Sequence, residues 1–227
     1  MFNKEDVKSP TVSQEALILT VIVDAHERRD TLTGDVPNAF IQTPLRPKDL
    51  PKPEEANEQM IMKITGVLVD MLVQLDPKTY EGYVVYEKGR KVLYVEVLKA
   101  IYGMLQAALL WYKKFRKELE QEGFKFNPYD PCVANRMIKG DQQTVTWHVD
   151  DLKSSHVDPK VNDEFLAWSK TKYASNQIGE IKAVRGTKHD YLAMTLDFST
   201  PGVLKVDMTS YVDKMLMDFP DELSGKS

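Results

Sequence analysis

The chain has 227 residues, 42% of them hydrophobic, which suits one sizeable domain or two small ones with a real core. Its formal net charge of −4 counts against a stand-alone nucleic-acid binder, which shows a basic face. With no run of about 18 apolar residues no membrane span is expected, and the charged opening Met1-Phe2-Asn3-Lys4-Glu5-Asp6 does not read as a signal peptide. The single cysteine, Cys132, rules out an internal disulfide, points to a reducing compartment, and reads as a packed strand residue rather than a nucleophile.

Residues 13–28 hold an apolar stretch. Thr11 followed by Gln14 fits a capping box. The β-branched Ile18, Val21, Ile22 and Val23 equally suit a buried strand, and length favours a buried helix. Residues 32–41 read as a strand. Pro44, Pro47, Pro51 and Pro53 then impose an extended loop. A short strand over 60–64 and a short helix over 67–75, stopped by Asp76-Pro77, follow. Strands over 84–86 and 92–95 flank Glu87-Lys88-Gly89-Arg90, a hairpin signal. Leu105, Leu109, Tyr112, Phe115 and Leu119 recur at helical spacing, with Gly123 as the C-terminal stop.

Strands over 132–138 and 144–149 are joined by Lys139-Gly140-Asp141, and a third strand, 152–155, follows Asp150-Asp151 directly. Asp158-Pro159 reads as a helix N-cap and first position, with Val161, Phe165 and Trp168 on one face. Residues 191–198 and 203–206 form a hairpin around Thr200-Pro201-Gly202, and Tyr211, Met215 and Phe219 mark a terminal amphipathic helix. Helices and strands in this order imply an α+β fold with a largely antiparallel sheet.

Adjacent acids mean little alone. Composition predicts roughly five such pairs by chance, and the sequence has five. Asp150-Asp151 differs in context, being flanked by Trp147, Val149 and Leu152 rather than by loop polars. Neighbouring anions disfavour joint ionisation. A bound divalent cation reverses that cost, and a solvated hairpin tip relieves it too. Asp35 by itself fits a simple turn at Gly34-Asp35.

Three segments taken in order say more. Asp35-Val36-Pro37-Asn38-Ala39-Phe40-Ile41 resembles D-V-x-x-A-F-L. Ile101-Tyr102-Gly103-Met104-Leu105-Gln106-Ala107, running on to Trp111-Tyr112, resembles L-Y-G-L-K-Q-A-P-R-x-W-Y. His148-Val149-Asp150-Asp151 resembles Y-V-D-D. Between and beyond them, Gly123-Phe124, Asp130-Pro131-Cys132, His189-Asp190-Tyr191-Leu192-Ala193-Met194 and residues 211–216 resemble further segments of one family. In this pattern the chain is similar to copia-type retrotransposon reverse transcriptases over about residues 8–219.

The resemblance implies a polymerase-palm-like α+β fold with packed helices and partial fingers, and RNA-directed DNA synthesis as the activity. Asp35 and Asp150 would bind two Mg²⁺ (or Mn²⁺) ions, Asp151 would complete the acidic cluster, and the Val36 carbonyl would add an oxygen ligand. Phe40 stands at the steric gate against a ribose 2′-hydroxyl, although core packing explains an aromatic residue there equally well. Gln106 matches a glutamine that contacts the incoming nucleotide, and an exposed position early in a helix is its plainer explanation. Tyr102-Gly103 would turn the chain close to template or nucleotide. His148, in place of tyrosine, keeps an aromatic ring near the primer. The implied partners are an RNA or DNA template with a DNA primer, dNTPs, and the remaining Pol polyprotein domains, with no membrane. The implied setting is a cytoplasmic virus-like particle or the nucleus.

Leu105, Ala108 and Leu109 replace lysine, proline and arginine of the family pattern, and Ala193 stands where glycine is usual. No full thumb, ribonuclease H or integrase is visible, so the sequence reads as a single reverse transcriptase domain fragment of a polyprotein. A catalytically inactive remnant, binding nucleic acid or acting as a scaffold, is the alternative. An unrelated α+β domain would instead keep Asp35 and Asp150 far apart.

Overall fold

The computed structural model describes residues 8–45 and 60–218. Pro47, Pro51, Pro53 and Phe219 of the expected elements lie outside them. The described residues form a mixed α+β fold with antiparallel sheets and six α-helices. They divide into two compact units, 8–39 with 108–218, and 40–45 with 60–107.

In the larger unit, α1 (Gln14–His26) begins where the Ser13 hydroxyl accepts the Ala16 N–H at 3.2 Å. The chain then enters β1 (Asp30–Asp35). After α4 (Ala107–Gln121) come β5 (Lys125–Phe126), β6 (Val133–Ile138), β7 (Asp141–His148), β8 (Asp151–His156) and α5 (Pro159–Tyr173). β9 (Lys182–Gly186) completes a six-stranded sheet of order β5-β6-β7-β8-β1-β9. β10 (Lys188–Tyr191), β11 (Met194–Asp197) and β12 (Lys205–Asp207) form a three-stranded sheet before α6 (Thr209–Asp218).

Alternation along the strands gives the six-stranded sheet two different faces. One carries Leu32, Val145, Trp147 and Leu152, all buried. Against it, Trp147 stacks with Tyr112 at 6.2 Å and meets Phe115 edge-on at 5.3 Å. Each such ring contributes roughly 1.5–3 kcal/mol of burial. The other face is polar. It carries Thr31, Thr33, Thr146 and Lys153, and Lys153 forms a fully buried ion pair with Asp24 of α1 at 2.5 Å.

The smaller unit holds β2 (Ile61–Thr65), α2 (Val67–Leu75), α3 (Pro77–Tyr80), a 3₁₀ turn (Glu81–Tyr83), β3 (Val85–Glu87) and β4 (Arg90–Glu96). Its strands pair in the order β2-β4-β3. As expected, α2 stops at Asp76, whose carboxylate then caps α3 by accepting the Thr79 N–H at 3.2 Å. Val69, Val92, Leu93 and Ala100 are among its buried residues.

Several expectations are corrected. The cap of α1 is Ser13 rather than Thr11, and the helix is half-buried rather than buried, since Leu19 and Ile22 are 63% and 51% exposed. The strand expected over 32–41 stops at Asp35, because Pro37 cannot donate to a ladder and Asn38 takes a φ of 49°. Leu105 precedes α4 and is 72% exposed, so it is no part of the apolar stripe. β7 starts at Asp141, shortening the preceding turn to Lys139-Gly140. The strand expected over 191–198 is broken into β10 and β11 by a two-residue turn, Leu192-Ala193. Among the described residues, no helix is long and apolar enough to cross a membrane.

Candidate active site

β1 and β8 are antiparallel neighbours although β8 lies far downstream in the chain. Their register sets Asp35 opposite Asp151. One residue beyond the ladder, the Val36 N–H donates to the Asp150 carbonyl at 3.0 Å, and Val36 is fully buried. Asp35 also faces Lys182 on its other side, across β9. His148 ends β7 and is the cross-strand partner of Asp151. Asp35, Asp150, Asp151 and His148 are all half-buried. The two acidic spots of the sequence thus meet at one end of the sheet.

Electrostatics follow from this register. Burial pushes the Asp35 carboxyl above the usual carboxylate range, and Asp150 adds to the rise while Lys182 opposes it. Burial, then Asp150, then Asp35 raise Asp151, and the His148 imidazole pulls the other way. The donors offered are carboxylate and carbonyl oxygens, which suit a hard divalent cation. A cation would also relieve the repulsion that raises both carboxyls. Among the described residues, no group of three or more His, Cys, Asp or Glu side chains is arranged to hold a metal ion by itself. An ion here would draw further oxygens from a substrate, as Mg²⁺ sites with phosphate ligands do.

The acids sit on a strained turn. Val149 and Asp150 are the two central residues between His148 and Asp151, and Val149 has a φ of 57°. Positive φ at the first central residue is the place two-residue hairpins reserve for glycine. A β-branched residue there costs about 1–2 kcal/mol. Two other hairpins of the chain, Lys88-Gly89 and Lys139-Gly140, place an unbranched lysine at the first central position, with φ of 48° and 53°, and glycine at the second, the usual turn residue there. The turn at the acids does not, and neither does Leu192-Ala193, where φ is 49° and 65°. Residues held outside their favoured conformation concentrate at functional sites.

What holds the turn is the second motif. The Trp111 indole N–H donates to the Val149 carbonyl at 2.6 Å. From the other side, the Tyr191 hydroxyl donates to the Asp151 carbonyl at 3.3 Å, and burial pushes the Tyr191 phenol up. Cys132 is fully buried and its thiol is pushed up to about 12 by burial, so it is no nucleophile.

No family model, no curated protein and no solved structure matches the chain.

The remaining expected site residues belong to the smaller unit. Phe40 is half-buried, and its ring lies 4.5 Å from that of Tyr102 at a tilt of 43°. Tyr102 is 56% exposed, Gly103 has a φ of 93°, and Gln106 is half-buried just before α4. Phe40 therefore joins an aromatic pair at the surface rather than a closed core.

Three side chains beside the acids have no role in the sequence reading. Lys182 faces Asp35, yet Glu180-Ile181-Lys182 carries no distinguishing pattern. Trp111 belongs to the second motif, which gives it no role at the acids, yet its indole holds the Val149 carbonyl. Tyr191 stands in a family-like segment that gives it no role, and from the end of β10 its hydroxyl meets the Asp151 carbonyl.

Proposed function

We propose that the chain is a palm-like domain with partial fingers from a copia-type retrotransposon reverse transcriptase, catalysing RNA-directed DNA synthesis. The observation that carries the reading is the pairing of Asp35 with Asp151 across β1 and β8, with Asp150 at the intervening turn. Carboxylates from distant segments meeting on adjacent strands are what metal-assisted nucleotidyl transfer needs.

In this reading, Asp35 and Asp150 hold two Mg²⁺ or Mn²⁺ ions, with Asp151 beside them and the Val36 carbonyl as a further ligand. The ions supply Lewis acidity to the primer 3′-hydroxyl and the triphosphate. The chain's own residues do the positioning that phosphoryl transfer mainly requires. The ladder between β1 and β8 fixes the spacing of the carboxylates. Phe40, backed by Tyr102, excludes a ribose 2′-hydroxyl, Gln106 contacts the incoming nucleotide beside the Gly103 turn, and His148 flanks the primer. Template, primer and dNTPs are the substrates, and the other Pol domains would supply the basic surface that a chain of net charge −4 lacks.

One observation favours a second reading. Leu105, 72% exposed, stands where the family pattern has lysine, and Leu109 stands where it has arginine. An inactive remnant would bind primer-template with steep salt dependence and never extend it.

The test is primer extension on an RNA template with a DNA primer and dNTPs, in Mg²⁺ and in Mn²⁺, with Asp150→Asn alongside. Extension by the wild type that the variant loses is the expected result. Salt-sensitive binding without extension by either protein would replace it with the remnant.

A further inference from the structure

We infer that Trp111 is a positioning residue that selects the conformation of the acid-bearing turn through its hydrogen bond to the Val149 carbonyl. The inference rests on the nucleotidyl-transfer reading of Asp35, Asp150 and Asp151, and extends it to a residue that touches no substrate.

The geometry is specific. In a two-residue hairpin the carbonyl of the first central residue lies outside the ladder and needs another partner. Here that carbonyl belongs to Val149, and its partner is the Trp111 N–H at 2.6 Å. Flipping the peptide between Val149 and Asp150 would interconvert two turn types. Both have positive φ at the first central residue, and they differ in the sign of φ at the second. Val149 has positive φ and Asp150 does not. The hydrogen bond therefore fixes the one orientation that keeps Asp150 out of the left-handed region, and with it the direction of the Asp150 carboxylate.

Trp111 is held firmly enough to do this. Its side chain is fully buried, stacked on Phe115 at 5.6 Å and edge-on to Tyr173 at 5.4 Å, with the Lys114 ammonium 5.3 Å from its ring. The Tyr173 hydroxyl is in turn bonded to Glu118. The indole cannot swing away without disturbing this cluster. Val149 offers no preference of its own for the observed turn, unlike the glycine usual at that place.

The test compares wild type, Trp111→Phe, Val149→Gly and the double variant in primer extension, with melting temperatures measured for all four. Trp111→Phe removes the N–H and leaves an aromatic ring. The expected result is a loss of about 100-fold in kcat with the dNTP KM within about 3-fold of wild type. Val149→Gly, which takes the observed turn unaided, restores most of that rate in the Trp111→Phe background without restoring its melting temperature. A merely structural role predicts the reverse, a rate that follows stability and no rescue by glycine, and would overturn the inference.

Should Trp111→Phe not fold, the indole is replaced by its benzothiophene analogue, which keeps the ring volume and lacks the N–H. If the wild type extends no primer in either metal, the polymerase reading fails. The positioning claim is then decided by a crystal structure of the analogue protein. A flipped Val149–Asp150 peptide upholds it, and an unmoved one overturns it.

Discussion

Asp35 and Asp151 face each other across β1 and β8 with half-buried side chains. Both carboxyls are raised above the ordinary value of 3.8, first by burial and then by Asp150. A raised carboxyl binds its proton more tightly in the folded than in the unfolded chain. The stabilisation this gives is fully present below the unfolded value and is lost as pH rises through the folded one. At neutral pH the pair therefore works against folding. Asp35→Asn and Asp151→Asn are each expected to melt above wild type at pH 7. The difference should shrink as pH falls, vanishing below about 3.8, the unfolded carboxylate value. Thermal melts across that range, in the absence of divalent cations, check it. Equal melting temperatures at pH 7 would mean that neither burial nor repulsion disfavours the ionised pair.

The turn Leu192-Ala193 places both central residues at positive φ, 49° and 65°. Each costs about 1–2 kcal/mol relative to glycine, offset in part by the greater entropy that glycine gives the unfolded chain. Ala193→Gly is expected to stabilise by about 1 kcal/mol, or roughly 2–4 °C in melting temperature for a chain of this size. Ala193→Val, with a β-branched side chain in the same conformation, should destabilise. Urea midpoints for the three proteins give the order directly.

Local signals made much of this fold legible. Asp158-Pro159 opens α5, and Lys88-Gly89 and Lys139-Gly140 make hairpins, because Asp158 caps the helix and a glycine fills the second turn position of each hairpin. The strands converging on the acids were readable from apolar patterning around Asp150-Asp151. The misreadings fall where local chemistry and tertiary demand disagree. Val149, Leu192 and Ala193 occupy turns that ordinarily take glycine or asparagine, so nothing in their residue types announces a reversal. Nothing in the sequence links Asp24 to Lys153, which are 129 residues apart in the chain and meet only as a buried pair in the fold. Asp35 looked like a turn residue until β8 was set beside β1.

Asp130 ties two elements together. It is 5% exposed, with Oδ2 accepting the Ser13 N–H at 2.8 Å and Oδ1 accepting the Cys132 N–H at 2.8 Å. The first bond anchors the residue that caps α1, and the second fixes the entry to β6. Asp130→Ala leaves both donors without their carboxylate and is expected to cost about 3 kcal/mol. Asp130→Asn keeps one carbonyl oxygen and should cost about half as much. Chemical denaturation measures both, and equal losses in the two variants would show that only one of the bonds matters.

The ion pair of Asp24 with Lys153 is the most deeply buried charge on the polar face, with both side chains fully shielded from solvent. Asp24 Oδ1 also accepts the Ser155 hydroxyl at 2.5 Å, and the Arg29 guanidinium lies 3.9 Å away. Removing one partner strands the other charge in the interior. Asp24→Ala is therefore expected to destabilise by about 3–5 kcal/mol. The double variant Asp24→Leu with Lys153→Met replaces the pair by apolar groups of similar length. It should recover most of that loss, because neither ion must then be desolvated. A double-mutant cycle reads the coupling, expected at about 2 kcal/mol or more. Arg29 sets a limit on the recovery, since without Asp24 its partners among the described residues are Glu27 and the Thr144 hydroxyl, at 2.8 Å and 3.0 Å. A double variant no more stable than Asp24→Ala would place the whole cost at Arg29 rather than at Lys153.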